Sequence, residues 1–214
     1  MCFNQALFLP FIILLISLFS IEPVLLINIT RQQEDKQTTP AIASDTEAYT
    51  NKYKNPLYGF QITIPKGYTG YGNSPRFSQH GITIPIINQA REEARIQIYA
   101  AYQNLNHPEP EDMAEVEIES IREYSQDPIV ISKRRTSLNG VTALRLVVQY
   151  RLKENAEIYI KDFVLSTRKP SKNDVAGLGI SYLVYLISAK DQYSRHRKIF
   201  QQMLKSWQMT SLSN

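Results

Sequence analysis

Residues 180–188 read ISYLVYLIS. This run is apolar on both of the faces that a strand presents, which places it at the centre of a sheet covered on each side. Working outward from it, Ile158 to Ser166, Val141 to Arg151 and Ile129 to Arg134 read as three further strands. Leu138-Asn139-Gly140 is a hairpin-type turn between two of them, and Lys153-Glu154-Asn155 turns between the next two. Short turns of this kind imply antiparallel pairing. On the other side of the central run, Tyr193 to Trp207 has the spacing of an amphipathic helix with Tyr193, His196, Ile199, Phe200, Met203, Leu204 and Trp207 on one face.

The first half of the chain supplies the rest of the sheet. Phe60, Ile62 and Ile64 alternate with Gln61 and Thr63 up to Pro65, the pattern of a half-buried strand. Gly67, Gly70 and Gly72 with Tyr68 and Tyr71 read as a loop. His80 to Ile86 is a second strand, with Pro85 implying an edge or a bulge, and Ile96, Ile98 and Ala100 alternate in a third. Glu109 to Tyr124 reads as a helix, because Pro108 and Pro110 are tolerated only at its start and Glu109, Glu111 and Asp112 suit its positive end. Its predicted apolar face carries Met113, Ala114, Val116, Ile118, Ile121 and Tyr124. The whole predicts an α+β fold over residues 56–210, an antiparallel sheet of six or seven strands between helices on both sides.

Residues 1–29 are different in character. Ala6 to Ile21 is apolar apart from two serines, and Val24 to Ile29 is a second apolar stretch after Glu22-Pro23. The length suits a signal peptide or an N-terminal anchor. The segment 30–55 is polar and reads as a linker between membrane and domain. Beyond residue 30 there are 24 basic and 19 acidic residues, a net +5 that is too mild for a nucleic-acid footprint. The expected partner is an envelope protein or a membrane surface. Cys2 is the only cysteine, so neither a disulfide nor a thiolate metal site is available to the domain.

Three strings resemble a known family. Tyr58-Gly59-Phe60-x-Ile62-x-Ile64-Pro65-x-Gly67-Tyr68 is similar to the opening of PsbP-like domains, Asn139-Gly140-Val141-x-Ala143 to their middle hairpin, and Phe200-x-x-x-Leu204-Lys205-Ser206-Trp207 to their closing helix. The resemblance covers residues 53–208. It implies a sheet between helices and a non-catalytic binding or assembly role, often outside the cytoplasm or in the thylakoid lumen. No metal or partner site of the family matches at residue level, and none is carried over.

No string in the chain fixes a reaction or a cofactor: there is no nucleophile elbow, no HExxH and no phosphate-binding loop. The most site-like stretch is the glycine- and tyrosine-rich loop, whose Tyr68, Tyr71, Arg76 and His80 are candidates to line a cleft. A hydrolase-type enzyme built on His80 is one alternative to a binding module. A cation site formed by His107, Glu109, Glu111 and Asp112 is another, although the acidic first turn of a helix explains the same carboxylates. His196 falls on an apolar helix face, where a hydrogen-bonded core histidine is expected. Glu117 falls within the apolar arc of the first helix and needs a partner, with Arg145 or Arg151 as the expected ones. Lys133-Arg134-Arg135 and Arg195-His196-Arg197-Lys198 are basic runs, either solvated or facing an anionic surface.

Overall fold

The computed structural model describes residues 47–72, 80–103, 109–154, 157–169 and 179–212, with the backbone alone at residue 80. The predicted N-terminal segment and most of the predicted linker lie outside these residues, as do Arg76 and His107. In chain order the elements are β1 (Ala48–Tyr49), β2 (Lys52–Asn55), β3 (Phe60–Thr63), β4 (Gly70–Gly72), β5 (His80–Asn88), β6 (Arg91–Gln103), α1 (Pro110–Tyr124), β7 (Ser125–Leu138), β8 (Val141–Leu152), β9 (Ile158–Arg168), β10 (Gly179–Ala189), α2 (Tyr193–Lys205) and β11 (Gln208–Met209). Neither helix is long and apolar enough to cross a membrane.

An antiparallel sheet runs in the order β1-β4-β5-β6-β10-β9-β8-β7, and a small second sheet in the order β11-β3-β2. The main sheet has eight strands, where the sequence predicts six or seven. The surplus comes from β1 and β4, which hold two and three residues and are too short to display a period of two. The predicted strand Phe60 to Ile64 leaves the main sheet to form β3 of the small one. Tyr53, within the stretch read as linker, is buried on β2.

As ISYLVYLIS requires, β10 is central, paired with β6 on one side and β9 on the other. On one face Leu144, Leu146, Val148, Tyr150, Phe163, Leu165 and Tyr185 pack with Ala114 and Ile121 of α1. On the other, Ile82, Ile84, Ile96, Ile98, Tyr182, Val184 and Leu186 pack with the small sheet and with Phe200, Met203 and Trp207. Trp207 stacks flat on Phe60, centroids 4.6 Å apart and planes 3° from parallel, and so clamps the end of α2 to β3.

The first helix begins as its sequence predicts. Pro110 occupies the first turn, and the Asp112 carboxylate accepts from the Glu109 backbone N–H at 3.1 Å. Its buried stripe is narrower than predicted: Pro110, Ala114, Glu117 and Ile121 are buried, while Val116 is 59% exposed and Tyr124 36%. A single sheet covers a stripe of the helix, not the whole apolar arc. The chain passes straight from α1 into β7, and Asp127-Pro128 is absorbed as an irregularity in the strand, with Asp127 at φ 49°. The turn Asn139-Gly140 has φ of 49° and 84°, the left-handed pair that matches the twist of a hairpin. Gln89-Ala90 makes the same kind of turn at φ 48° and 64°, without the glycine that would have announced it.

His196 is the expected core histidine. It is fully buried, with Nδ1 2.8 Å from the Ser188 hydroxyl oxygen and Nε2 facing Glu93 at 3.5 Å and Arg195 at 3.1 Å. Burial, with Arg195 beside it, pulls its pKa below the usual histidine value of 6.5, and Glu93 opposes them in part. Between the lowered folded value and the ordinary one, the unfolded chain binds the proton more readily. The stability held by neutral His196 is therefore complete above about pH 6.5 and is lost as the pH falls from there toward the folded value. Urea unfolding at pH 7.5 and pH 5.5 is expected to show a steeper acid loss in the native chain than in a His196→Asn variant. Equal losses in the two would contradict this assignment.

Candidate functional site

Glu117, on the buried stripe of α1, pairs with neither arginine named from the sequence. Lys161 of β9 reaches it instead, Nζ to Oε2 at 2.7 Å, and both side chains are almost fully buried. The ammonium also lies 4.5 Å from the centroid of the Tyr185 ring. Parity explains the exchange. Arg145 projects from β8 to the opposite face, whereas Lys161 shares the α1 face with Phe163 and Leu165.

On that opposite face Arg145 makes a second buried pair. Its Nε and Nη2 donate to the two carboxylate oxygens of Asp162 at 2.8 and 2.6 Å, and the Tyr193 hydroxyl donates to Asp162 Oδ2 at 2.7 Å. Asp162 is wholly buried and Arg145 is 8% exposed. The paired carboxylate pushes the Arg145 guanidinium pKa further up. Burial and the hydrogen bond to Asp162 push the Tyr193 phenol up, so it stays protonated and serves as a donor.

Above this pair lies a groove of about 390 Å³ between β7, β8, β9 and α2. Arg134, Arg145, Lys190 and Arg197 line it with Ile131, Val147 and Ile160, and Ser132, Gln149 and Tyr193 complete the wall. Four cations thus surround a partly apolar floor whose lining holds no carboxylate, while Asp162 beneath it matches the charge of Arg145. The Arg197 guanidinium carbon is 5.9 Å from the centroid of the Tyr193 ring, and Arg197 Nε is buried without a hydrogen-bond partner. The first turn of α2 bears no acidic residue, so the positive end of its dipole adds to the same potential. Lys190 also borders a second depression lined by Glu157, Ile158 and Asp191, which tempers its charge.

Those candidate cleft and cation-site residues singled out in the sequence whose side chains the structure describes are absent from the lining of this groove. Tyr68 is partly buried against the core, and Tyr71 lies on β4 opposite Thr83. Arg76 and the side chain of His80 are outside the described residues. Glu109 and Asp112 belong to the start of α1, and Glu111 accepts from Arg135 at 2.9 Å; His107, the other member of that set, is not described. Among the described residues no three His, Cys, Asp or Glu side chains are grouped to hold a metal. The groove was signalled in the sequence only by the two basic runs, one on β7 and one on α2. Their convergence depends on how α2 returns across the sheet.

No family model matches the chain, and no curated protein matches it in sequence. Solved structures do match in fold. One is the cyanobacterial PsbP (CyanoP) of Synechocystis sp. PCC 6803, with 11% identity, TM-score 0.50, and coverage of 82% of this chain and 98% of that one. Another is LpqN of Mycobacterium tuberculosis, described as involved in cell envelope biogenesis, with 11% identity, TM-score 0.52, and coverage of 78% of this chain and 93% of that one. The likeness extends over nearly the whole of both proteins and agrees with the resemblance read from the sequence strings: this chain has a PsbP-like fold.

Proposed function

We propose that this protein is a non-enzymatic binding or assembly module, held at a membrane by its apolar N-terminus, and that the basic groove is its binding surface. The ligand carries a carboxylate or phosphate for the guanidinium groups and an apolar portion for Ile131, Val147 and Ile160. The convergence of Arg134, Arg145, Lys190 and Arg197 on one groove, with no carboxylate in its lining, carries this reading. The apolar stretches at residues 6–21 and 24–29, the polar spacer after them and the envelope role printed for LpqN support the location.

Calorimetric titration of the full chain with inorganic phosphate and with butyl phosphate tests the groove. Butyl phosphate is expected to bind more tightly, since each buried methylene contributes about 0.8 kcal/mol. The double variant Arg134→Gln, Arg197→Gln removes charge-assisted hydrogen bonds of about 1.5–3 kcal/mol each, so at least a tenfold loss of affinity is expected. Affinity unchanged by the double variant would refute the groove. Recovery of a tagged full-length chain wholly in the soluble cytoplasm would refute the location.

A further inference from the structure

One wall of the groove is β7, and β7 is the last strand of the main sheet. Fourteen residues long, it has hydrogen-bonded strand neighbours, among the described residues, on the β8 side only. Among the described residues no strand pairs with the backbone N–H and C=O groups that face away from β8, the template an edge strand offers to another chain. Ile129, Val130 and Ile131 stand 55%, 42% and 55% exposed along it, three consecutive large apolar side chains open to solvent on an edge strand. Lys133, Arg134 and Arg135 follow directly. Arg135 has Glu111 as a partner, while Lys133 and Arg134 make no ion pair among the described residues.

We propose that β7 is a docking edge for an extended acidic peptide segment of a partner protein, which adds as a ninth strand and turns its acidic side chains into the basic groove. This rests on the groove being the binding surface. Below its irregularities, β7 pairs in unbroken register with β8 from Ser132 to Leu138, a regular edge about 23 Å long at ~3.3 Å per residue. Side chains of an added strand alternate between the two faces of the sheet, so every second residue points to the face of Arg134 and Arg197. Acidic residues there meet the groove cations. Apolar residues extend over Ile129 and Ile131.

Charge also selects against a second copy of this chain. Antiparallel self-pairing centred on Arg134 sets Lys133 opposite Arg135 and Arg134 opposite itself, and like charges directly opposite are destabilising. The basic triplet therefore protects the edge from its own kind and leaves it open to an acidic strand.

The test uses the full chain and a fluorescein-labelled ten-residue peptide of alternating glutamate and valine, alongside the same peptide with every backbone amide N-methylated. The unmethylated peptide is expected to bind, with slowed amide exchange confined to Ser132–Leu138. The methylated peptide keeps all its charges but cannot pair, and it is expected to bind at least tenfold more weakly. The double variant Lys133→Glu, Arg134→Glu is expected to weaken the unmethylated peptide at least tenfold. Equal affinity for the two peptides would overturn strand pairing while leaving the groove intact. Binding of butyl phosphate with no binding of either peptide would overturn it in the same way. If neither peptide nor butyl phosphate binds, the groove reading falls as well.

Discussion

Deleting residues 193–214 is expected to abolish cooperative unfolding. The deletion removes Phe200, Met203 and Trp207, which are at most 2% exposed, together with the partly buried Ile199 and Leu204. Full burial of each large apolar side chain contributes about 1.5–3 kcal/mol, so the three alone contribute about 5–9 kcal/mol, against a net domain stability of about 5–15 kcal/mol. The loss is not confined to α2. Phe60 loses its stacking partner, β3 loses its pairing with β11, and Ile82, Ile96, Ile98 and Val184 lose part of their cover. The expected product is an aggregating or molten chain, seen as a broad thermal trace and lost near-ultraviolet circular dichroism. A chain beginning at Glu47 is expected to melt cooperatively, because it retains every described element. Starting later is expected to be costly, since Tyr49 packs edge-on against Tyr53 with centroids 5.0 Å apart. A C-terminal truncation that melts like the intact protein would show that the second face of the sheet is not stabilised as described.

Replacing Asp162 by alanine is expected to destabilise the fold by about 3–5 kcal/mol, because it leaves Arg145 buried and uncompensated and Tyr193 without its acceptor. For a protein of this size that corresponds to a fall in Tm of roughly 6–20 °C. Replacing both partners, Arg145→Met with Asp162→Leu, is expected to recover most of the loss, since a well-packed apolar pair has no charge to desolvate. Urea unfolding of the native chain and of the two variants decides the matter. An Asp162→Ala chain within about 1 kcal/mol of the native one would mean that water reaches Arg145 and that the pair is not a buried one. The pair matters to the groove because it fixes Arg145 and Tyr193 as parts of its floor. In the rescued double variant the fold is expected to be restored and anion affinity reduced, which separates the two roles.

Much of this architecture was legible along the chain, because long elements repeat their pattern often enough to be read. The two helices, the hairpin at Asn139-Gly140 and the central β10 are all where the sequence put them. What could not be read was short or non-local. β1 and β4 have too few residues for a period, and the Gln89-Ala90 turn uses left-handed backbone without glycine. The partner of Glu117 illustrates the non-local case. Sequence shows that a carboxylate inside an apolar arc must be matched, but the match depends on which face each strand residue takes once register is set.

The candidate groove follows the same division. Local pattern alone determined that two basic runs exist, that one lies on a strand and the other on a helix, and that His196 points into the core. Local periodicity is a property of neighbours in the chain, and it carries that far. Only the tertiary structure decided that β7 ends the sheet, that α2 crosses beside it, and that Arg134, Arg145 and Arg197 therefore line one depression above Asp162. Those facts depend on strand order and on the path of the helix, which are set by how the two faces of the sheet are buried and not by any residue's neighbours in sequence.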